Sequence, residues 1–258
     1  MDNGREIDGL SGRLAAASLH LRRTIKERRT PLADVAYRAI VGLRGFEIPV
    51  IRALHLPLYY LVRVGTDGLG ALMAALWWTP LFKARLAAPA PALRLYGGGL
   101  PLVTGPLSVR VGRGCRISTQ TTFCGRSAGD DVPQLTIGDN VDIGWQTTIA
   151  VGRRVTLGDN VRLAGRAFLA GYPGHPLDAL DRAAGLPDTP DQVGDIILEN
   201  DVWLATGVTV TAGVCIGRGT VVAAGSVVTG DLPAFVLAAG VPARVVRFID
   251  AATPVERQ

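Results

Sequence analysis

Two rhythms of apolar positions divide this chain. In the first, aliphatic residues step by three or four: Leu10, Leu14, Ala17, Leu21 and Ile25 form one stripe, with Arg22, Arg23, Lys26 and Arg29 off it. That spacing predicts an amphipathic helix over 10–28, stopped by Pro31. Leu32, Val35, Ala36, Ala39, Ile40 and Leu43 predict a second helix. A third is expected to start near Pro49 and to be kinked or broken at Pro57. The fourth segment, GLGALMAALWWTPLF, carries no charge between Asp67 and Lys83. It is shorter than the roughly 20 residues that cross a bilayer core.

From 107 to 247 the period becomes six. Aliphatic or aromatic residues open units at Val111, Ile117 and Phe123, then at Ile137 and Ile143. The phase slips by two after Ile149 and resumes at Val151, Leu157, Leu163 and Leu169. After an interruption, Leu198, Leu204, Val210, Ile216, Val222 and Val228 keep an unbroken beat. A helix cannot give apolar first and fifth positions in a period of six, and a hairpin sheet alternates in twos. A coil of short strands with sharp corners can: each aliphatic points into a narrow interior and stacks on its equivalent one turn away.

Composition and charge refine this picture. With 48% hydrophobic and 19% charged residues the chain is globular, large enough for one large domain or two small ones. Residues 1–95 hold 14 Lys+Arg against 7 Asp+Glu, whereas residues 96–258 hold 13 against 15. The basic character therefore belongs to the front segment. Its arginines interleave with leucines rather than with stacking aromatics, which favours an anionic membrane surface over nucleic acid. Trp77 and Trp78 beside Lys83 and Arg85 suit a headgroup boundary, and equally suit packing of the helices on one another or on the rest of the chain. Cys115, Cys124 and Cys215 match no metal-ligand spacing, and no metal is expected. Cys124 and Cys215 read as small packing residues. The acidic, polar start MDNGREIDG is unlike a secretory signal. A reducing, cytoplasmic setting is expected, peripheral on the inner face of the membrane if the front segment binds lipid.

The hexads, with NDVW at 200–203, VVAAGSVVTGD at 221–231 and AAGVPARVVR at 238–247, resemble the hexapeptide-repeat acyltransferases, and among them the sugar and polysaccharide O-acetyltransferases of the galactoside and maltose type. The resemblance implies an all-β left-handed parallel β-helix over 96–247, following an α-helical N-terminal segment over 1–95 and leaving a C-terminal tail at 248–258. It implies an acetyl-CoA-dependent O-acetyltransferase acting on a sugar or a polysaccharide or glycolipid precursor, assembled as a homotrimer with its cleft between subunits.

One stretch carries the candidate chemistry. AGYPGHPLDALDR, at 170–182, opens the long interruption expected as an active-site loop over 171–196, and it holds the repeat region's one histidine, His175. A sugar hydroxyl is too weakly acidic to ionise at neutral pH, so it needs a base as it attacks a thioester, and imidazole is the side chain suited to that. The match of GHPLD to the family's loop implies that role for His175. Asp178 and Arg182 either orient the base, bind the acceptor or pin the loop. The family's acceptor-binding Asn falls at Gly144 here, with Gln146 nearby, so acceptor contacts differ. The resemblance places CoA near Thr206, Ala224 and Thr229, with Arg244 and Arg247 on its phosphates. Gly230 stands where the family often has a cation. Two other readings stay open: an N-acyltransferase on an aminosugar, and a non-catalytic trimeric scaffold at the membrane surface. A zinc-dependent carbonic anhydrase of the same coil needs three histidines, and the repeat has one.

Overall fold

A computed structural model describes residues 3–249, with side chains described from residue 11; numbers and absences given for the structure are of those residues. The tail expected at 248–258 lies, from residue 250, outside them, as does the side chain of Leu10. Chain contacts divide the molecule into two units between Leu61 and Val62.

The first unit holds α1 (Asn3–Glu27), α2 (Pro31–Arg44) and the start of α3 (Arg52–Met73). Pro31 both ends one helix and begins the next: it occupies the first turn of α2, where its missing N–H costs nothing, and the Thr30 hydroxyl accepts the Ala33 N–H at 3.1 Å. The apolar stripes are present but uncovered. Leu14, Leu21, Leu32, Val35 and Leu43 are 60–81% exposed. No break occurs at Pro57, which lies in the early part of α3, and the helix continues through it. The third and fourth expected segments form one helical run, α3 passing through a π turn (Ala74–Trp78) into α4 (Thr79–Arg85). No helix is long and apolar enough to cross a membrane.

In the second unit, α4 closes the first end of a coil. Phe82 is 3% exposed and stacks on Phe123 at 6.4 Å between ring centroids. The Thr79 hydroxyl accepts the Leu95 N–H at 3.3 Å, Arg85 donates to the Leu107 carbonyl at 3.0 Å, and Ala87 N–H to the Val109 carbonyl at 2.9 Å. Both tryptophans lie in the π turn: Trp78 packs on this core, while Trp77 is 54% exposed.

The coil makes about six turns around three parallel walls. Parallel strands of the first wall begin at Arg94, Arg116, Asp142, Arg162, Trp203, Val221 and Val236; of the second at Leu102, Thr122, Thr148, Phe168, Thr209 and Val227; of the third at Ser108, Gln134, Arg154, Ile196 and Cys215. Leu95, Ile117, Ile143, Leu163, Leu204 and Val222 stack up one inner face in strict register. Phe123, Ile149, Leu169, Val210 and Val228 stack up the second. Burying each such side chain contributes roughly 1.5–3 kcal/mol.

The two-residue slip in the sequence rhythm has a structural cause. Third-wall strands turn two residues inward, two positions apart: Val109 and Val111, Leu135 and Ile137, Val155 and Leu157, Ile196 and Leu198 are all buried. The corner into the third wall is two residues longer after Ile149, which stands eight positions before Leu157, than after Val210, which stands six before the register equivalent Ile216, so the beat slips at the first and not at the second. The coil also begins earlier than the visible repeat, at Arg94, because Leu95 and Val103 flank the longer corner Gly97–Pro101.

The corner between the third and first walls is a polar ladder. Asp139 accepts the Arg113 N–H at 2.7 Å, Asp159 the Asp139 N–H at 2.7 Å, and Asn200 the Asp159 N–H at 2.8 Å. Asn140, Asn160 and Asp201 take left-handed φ of 54–65° there, which Asn and Asp tolerate best among non-glycine residues. The last strand, Ala243–Phe248, runs antiparallel to Val236–Gly240.

Candidate active site

The long excursion leaves the second wall after Ala170. Its ends are tied together: Gly171 N–H donates to the Ala150 carbonyl at 2.8 Å, and Gly194 N–H to the Gly171 carbonyl at 3.1 Å. Nothing larger than glycine fits at the return, where a Cβ on Gly194 would stand 2.2 Å from the Gly213 nitrogen. Between these ends the chain goes out, makes the short helix α5 (Ala179–Ala183) and comes back.

His175 sits near the start of the excursion and is exposed. Gly174, at φ 82°, turns the chain just before it, and Pro176 after it is buried. The His175 carbonyl accepts from Gln192 Nε2 at 3.5 Å, while its ring has no hydrogen-bond, ionic or ring partner among the described residues. Asp178 and Arg182 do not bond to each other or to the imidazole. Asp178 caps α5, its carboxylate accepting the Leu180 and Asp181 N–H groups at 2.8 and 3.0 Å. Arg182 donates to the carbonyls of Pro176, at 2.9 Å, and Leu177. Both hold the backbone that follows His175.

A residue pair that the sequence reading missed anchors the far arm. Arg126 and Asp188, with side chains 10% and 3% exposed, pair through Arg126 Nε and both carboxylate oxygens at 3.1 and 3.0 Å, and Arg126 also donates to the Asp188 carbonyl at 2.8 Å. Tyr172, half-buried at the start of the excursion, feels the charge of this pair. Burial, reinforced by Cys124 and Asp188, holds its phenol above the usual value. Nothing in the sequence singles this pair out, because both interruptions carry charges of both signs and the two residues stand 62 positions apart.

Gln146, Thr206 and Ala224 gather elsewhere, at the corner between the first and second walls. Arg166 N–H donates to the Trp145 carbonyl at 2.8 Å, Gly207 to Gly165 at 3.0 Å, and Gly225 to Thr206 at 2.9 Å, so Trp145, Gly165, Thr206 and Ala224 make one column. Gln146, at φ 56°, accepts from Arg166 Nε at 3.2 Å, and the Arg166 guanidinium lies 5.0 Å from the Trp145 ring centre. The Trp145 ring covers Gly165, where a Cβ would stand 2.6 Å from it. Thr206 and Ala224 are exposed on the column. Thr229 lies apart, beyond Val228 at the corner from which the His175 excursion departs. Arg244 and Arg247 project from the antiparallel last strand, both exposed. Cys124 and Cys215 are half-buried on outer faces, and Cys115 is buried.

No family model matches the chain. It is 40% identical over 115 residues to the galactoside O-acetyltransferase of Escherichia coli K12, which covers 44% of this chain and 54% of that enzyme. The chain thus spans about half the length of the curated relative it matches. Among solved structures, the N-acyltransferase AntD of Bacillus cereus, in complex with dTDP and 3-hydroxybutyryl-CoA, superposes with a TM-score of 0.52 at 17% identity, over 67% of this chain and 88% of that one. A variant of AntD with dTDP and coenzyme A gives 0.52 at 19% over the same shares. The fold is the left-handed β-helix of the acyltransferases. In that β-helix the excursion carrying His175 and the column carrying Thr206 stand at opposite ends of the second wall.

Proposed function

We propose that this chain is an acetyl-CoA-dependent O-acetyltransferase that acetylates a hydroxyl of a sugar or of a polysaccharide or glycolipid precursor, with His175 as general base. The observation that carries the reading is an imidazole free of partners on the longest excursion of a β-helix that is 40% identical, over 115 residues, to a galactoside O-acetyltransferase. The proton of the acceptor hydroxyl passes to the imidazole as its oxygen attacks the thioester carbonyl. The tetrahedral intermediate collapses with loss of the CoA thiolate, which takes that proton back from the imidazolium. Cys124 and Cys215 have no histidine beside them, so transfer is direct rather than through an acyl-cysteine. Small side chains at Ala223, Ala224 and Gly225 leave the column open for the pantetheine arm, and Arg244 and Arg247 supply charge for the CoA phosphates.

The loop and the column lie at different corners of one chain, and Leu177 and Leu180 beside His175 are 81% and 80% exposed. A homotrimer brings a neighbour's column to each loop and completes three identical sites. The basic, apolar front helices hold the assembly on an anionic membrane surface, a contact that added salt weakens.

The decisive experiment follows CoA release from acetyl-CoA with a panel of sugars and aminosugars. His175→Ala is expected to lower kcat by about 10²–10⁴-fold while CoA binding persists. Release with aminosugars alone would assign N-acyl transfer. No release with any acceptor, together with no CoA binding, would assign a scaffold.

A further inference from the structure

A groove of about 800 Å³ lies between the end of α3, the π turn, α4 and the first strand of the coil, and the acetyl-transfer reading makes no use of it. Its floor is a helix face stripped of bulk. Gly70, Ala71, Ala74 and Ala75 line it, at the three-and-four spacing that puts them on one side of the helix. A Cβ built on Gly70 meets nothing within 4 Å, so these residues leave room rather than admit a tightly packed neighbour. The opposite bank comes from Leu93 and Leu95, both buried, and from Arg94 and Tyr96. The volume falls in the range of small-molecule sites.

Two cations border this apolar floor, Lys83, half-buried, and Arg94, exposed. Neither has an acidic partner among the described residues. The one carboxylate in the lining, Asp67, is engaged by Arg63 at 3.1 Å. The groove therefore offers uncompensated positive charge beside hydrocarbon. The helical run that forms it also turns Leu69, Leu72, Leu76 and Trp77 to solvent, at 53–69% exposure. Such a set of side chains beside basic residues is at home at the level of lipid headgroups.

We infer that this groove seats an anionic phospholipid, its phosphate between Lys83 and Arg94 and the root of an acyl chain along the Gly70–Ala75 face. A second copy of the chain is a poorer occupant, because a symmetric contact through this face brings the unpaired cations of both copies together. A free phosphate leaves the apolar floor unused. The inference needs neither His175 nor acetyl transfer.

The test titrates the full chain, carrying Trp145→Phe and Trp203→Phe so that only Trp77 and Trp78 fluoresce as tryptophan, with dihexanoyl phosphatidylglycerol below its micelle concentration, and reads that fluorescence. Dihexanoyl phosphatidylcholine and inorganic phosphate are run alongside. Saturable binding of phosphatidylglycerol alone is expected. Gly70→Phe, which fills the floor from an exposed helix position, should abolish it, with the far-UV circular dichroism spectrum unchanged. Lys83→Gln should weaken binding about fivefold, matching the roughly 1 kcal/mol that one basic residue contributes at an anionic surface. Equal binding of inorganic phosphate would reduce the site to an anion pocket and overturn the lipid assignment. Lipid binding unchanged in both variants, or absent from the chain with Gly70 and Lys83 intact, would overturn the groove as its seat. A change of oligomeric state in Gly70→Phe with lipid binding intact would give the groove to a second copy.

Discussion

The coil and the front helices are built from the same aliphatic residues and treat them in opposite ways. Ile117, Ile143, Ile149, Leu169 and Leu204 are wholly withdrawn from solvent, whereas Leu32, Leu43, Leu61 and Val64 are 70–81% exposed. The difference is one of partnership. Each turn of a coil covers the turn before it, so a period-six pattern supplies its own burial. A helix stripe faces outward from its own backbone and needs a second surface. Apolar periodicity thus announces what element a segment forms without saying who covers it.

The largest expected effect tests that contrast directly. Leu169→Ala should cost about 2–5 kcal/mol of unfolding free energy by urea titration, while Leu43→Ala should stay within about 0.5 kcal/mol. Comparable losses at both positions would mean that α2 is covered in solution, and the contrast would fail. Next comes the clamp on the excursion. Asp188→Asn leaves the Arg126 charge buried without its counter-charge, at a cost of about 3 kcal/mol, and should speed proteolytic cutting within 171–195. A loop still resistant after that change is held by another subunit.

The smallest effect separates inside from outside on the coil. Burial raises the Cys115 thiol above the ordinary 9.0, so the folded state favours its protonated form. That contribution is fully present below pH 9 and is lost as pH rises through the folded value. Stability should therefore decline above pH 9, and less so in Cys115→Ala, when denaturation midpoints are compared across that range. At neutral pH a thiol reagent should label Cys124 and Cys215 well before Cys115.

The coil was legible because its signal repeats: Ile117, Ile143, Leu163 and Leu204 occupy equivalent places and reinforce one another. Its first turn was not, since the corner from Gly97 to Pro101 pushes Val103 out of step. Of the kink or break expected at Pro57, the break does not occur, because a single missing N–H early in a long helix does not stop it. At the site, the excursion and His175 could be located because they interrupt the beat. The Arg126–Asp188 clamp joins residues 62 positions apart, and the stacking of Arg166 on Trp145 depends on which corner residues become neighbours after coiling. Neither proximity is encoded locally.

The Asp–Asn ladder carries a consequence for how such a chain can change over generations. The rung from Asp159 to Asp139 spans 20 positions and the rung from Asn200 to Asp159 spans 41, yet the two bonds measure 2.7 and 2.8 Å. The scaffold is indifferent to the length of chain that wanders off between one rung and the next. A lineage could lengthen, trim or replace the segment bearing His175, and so try new acceptors, while the architecture that presents it stays the same.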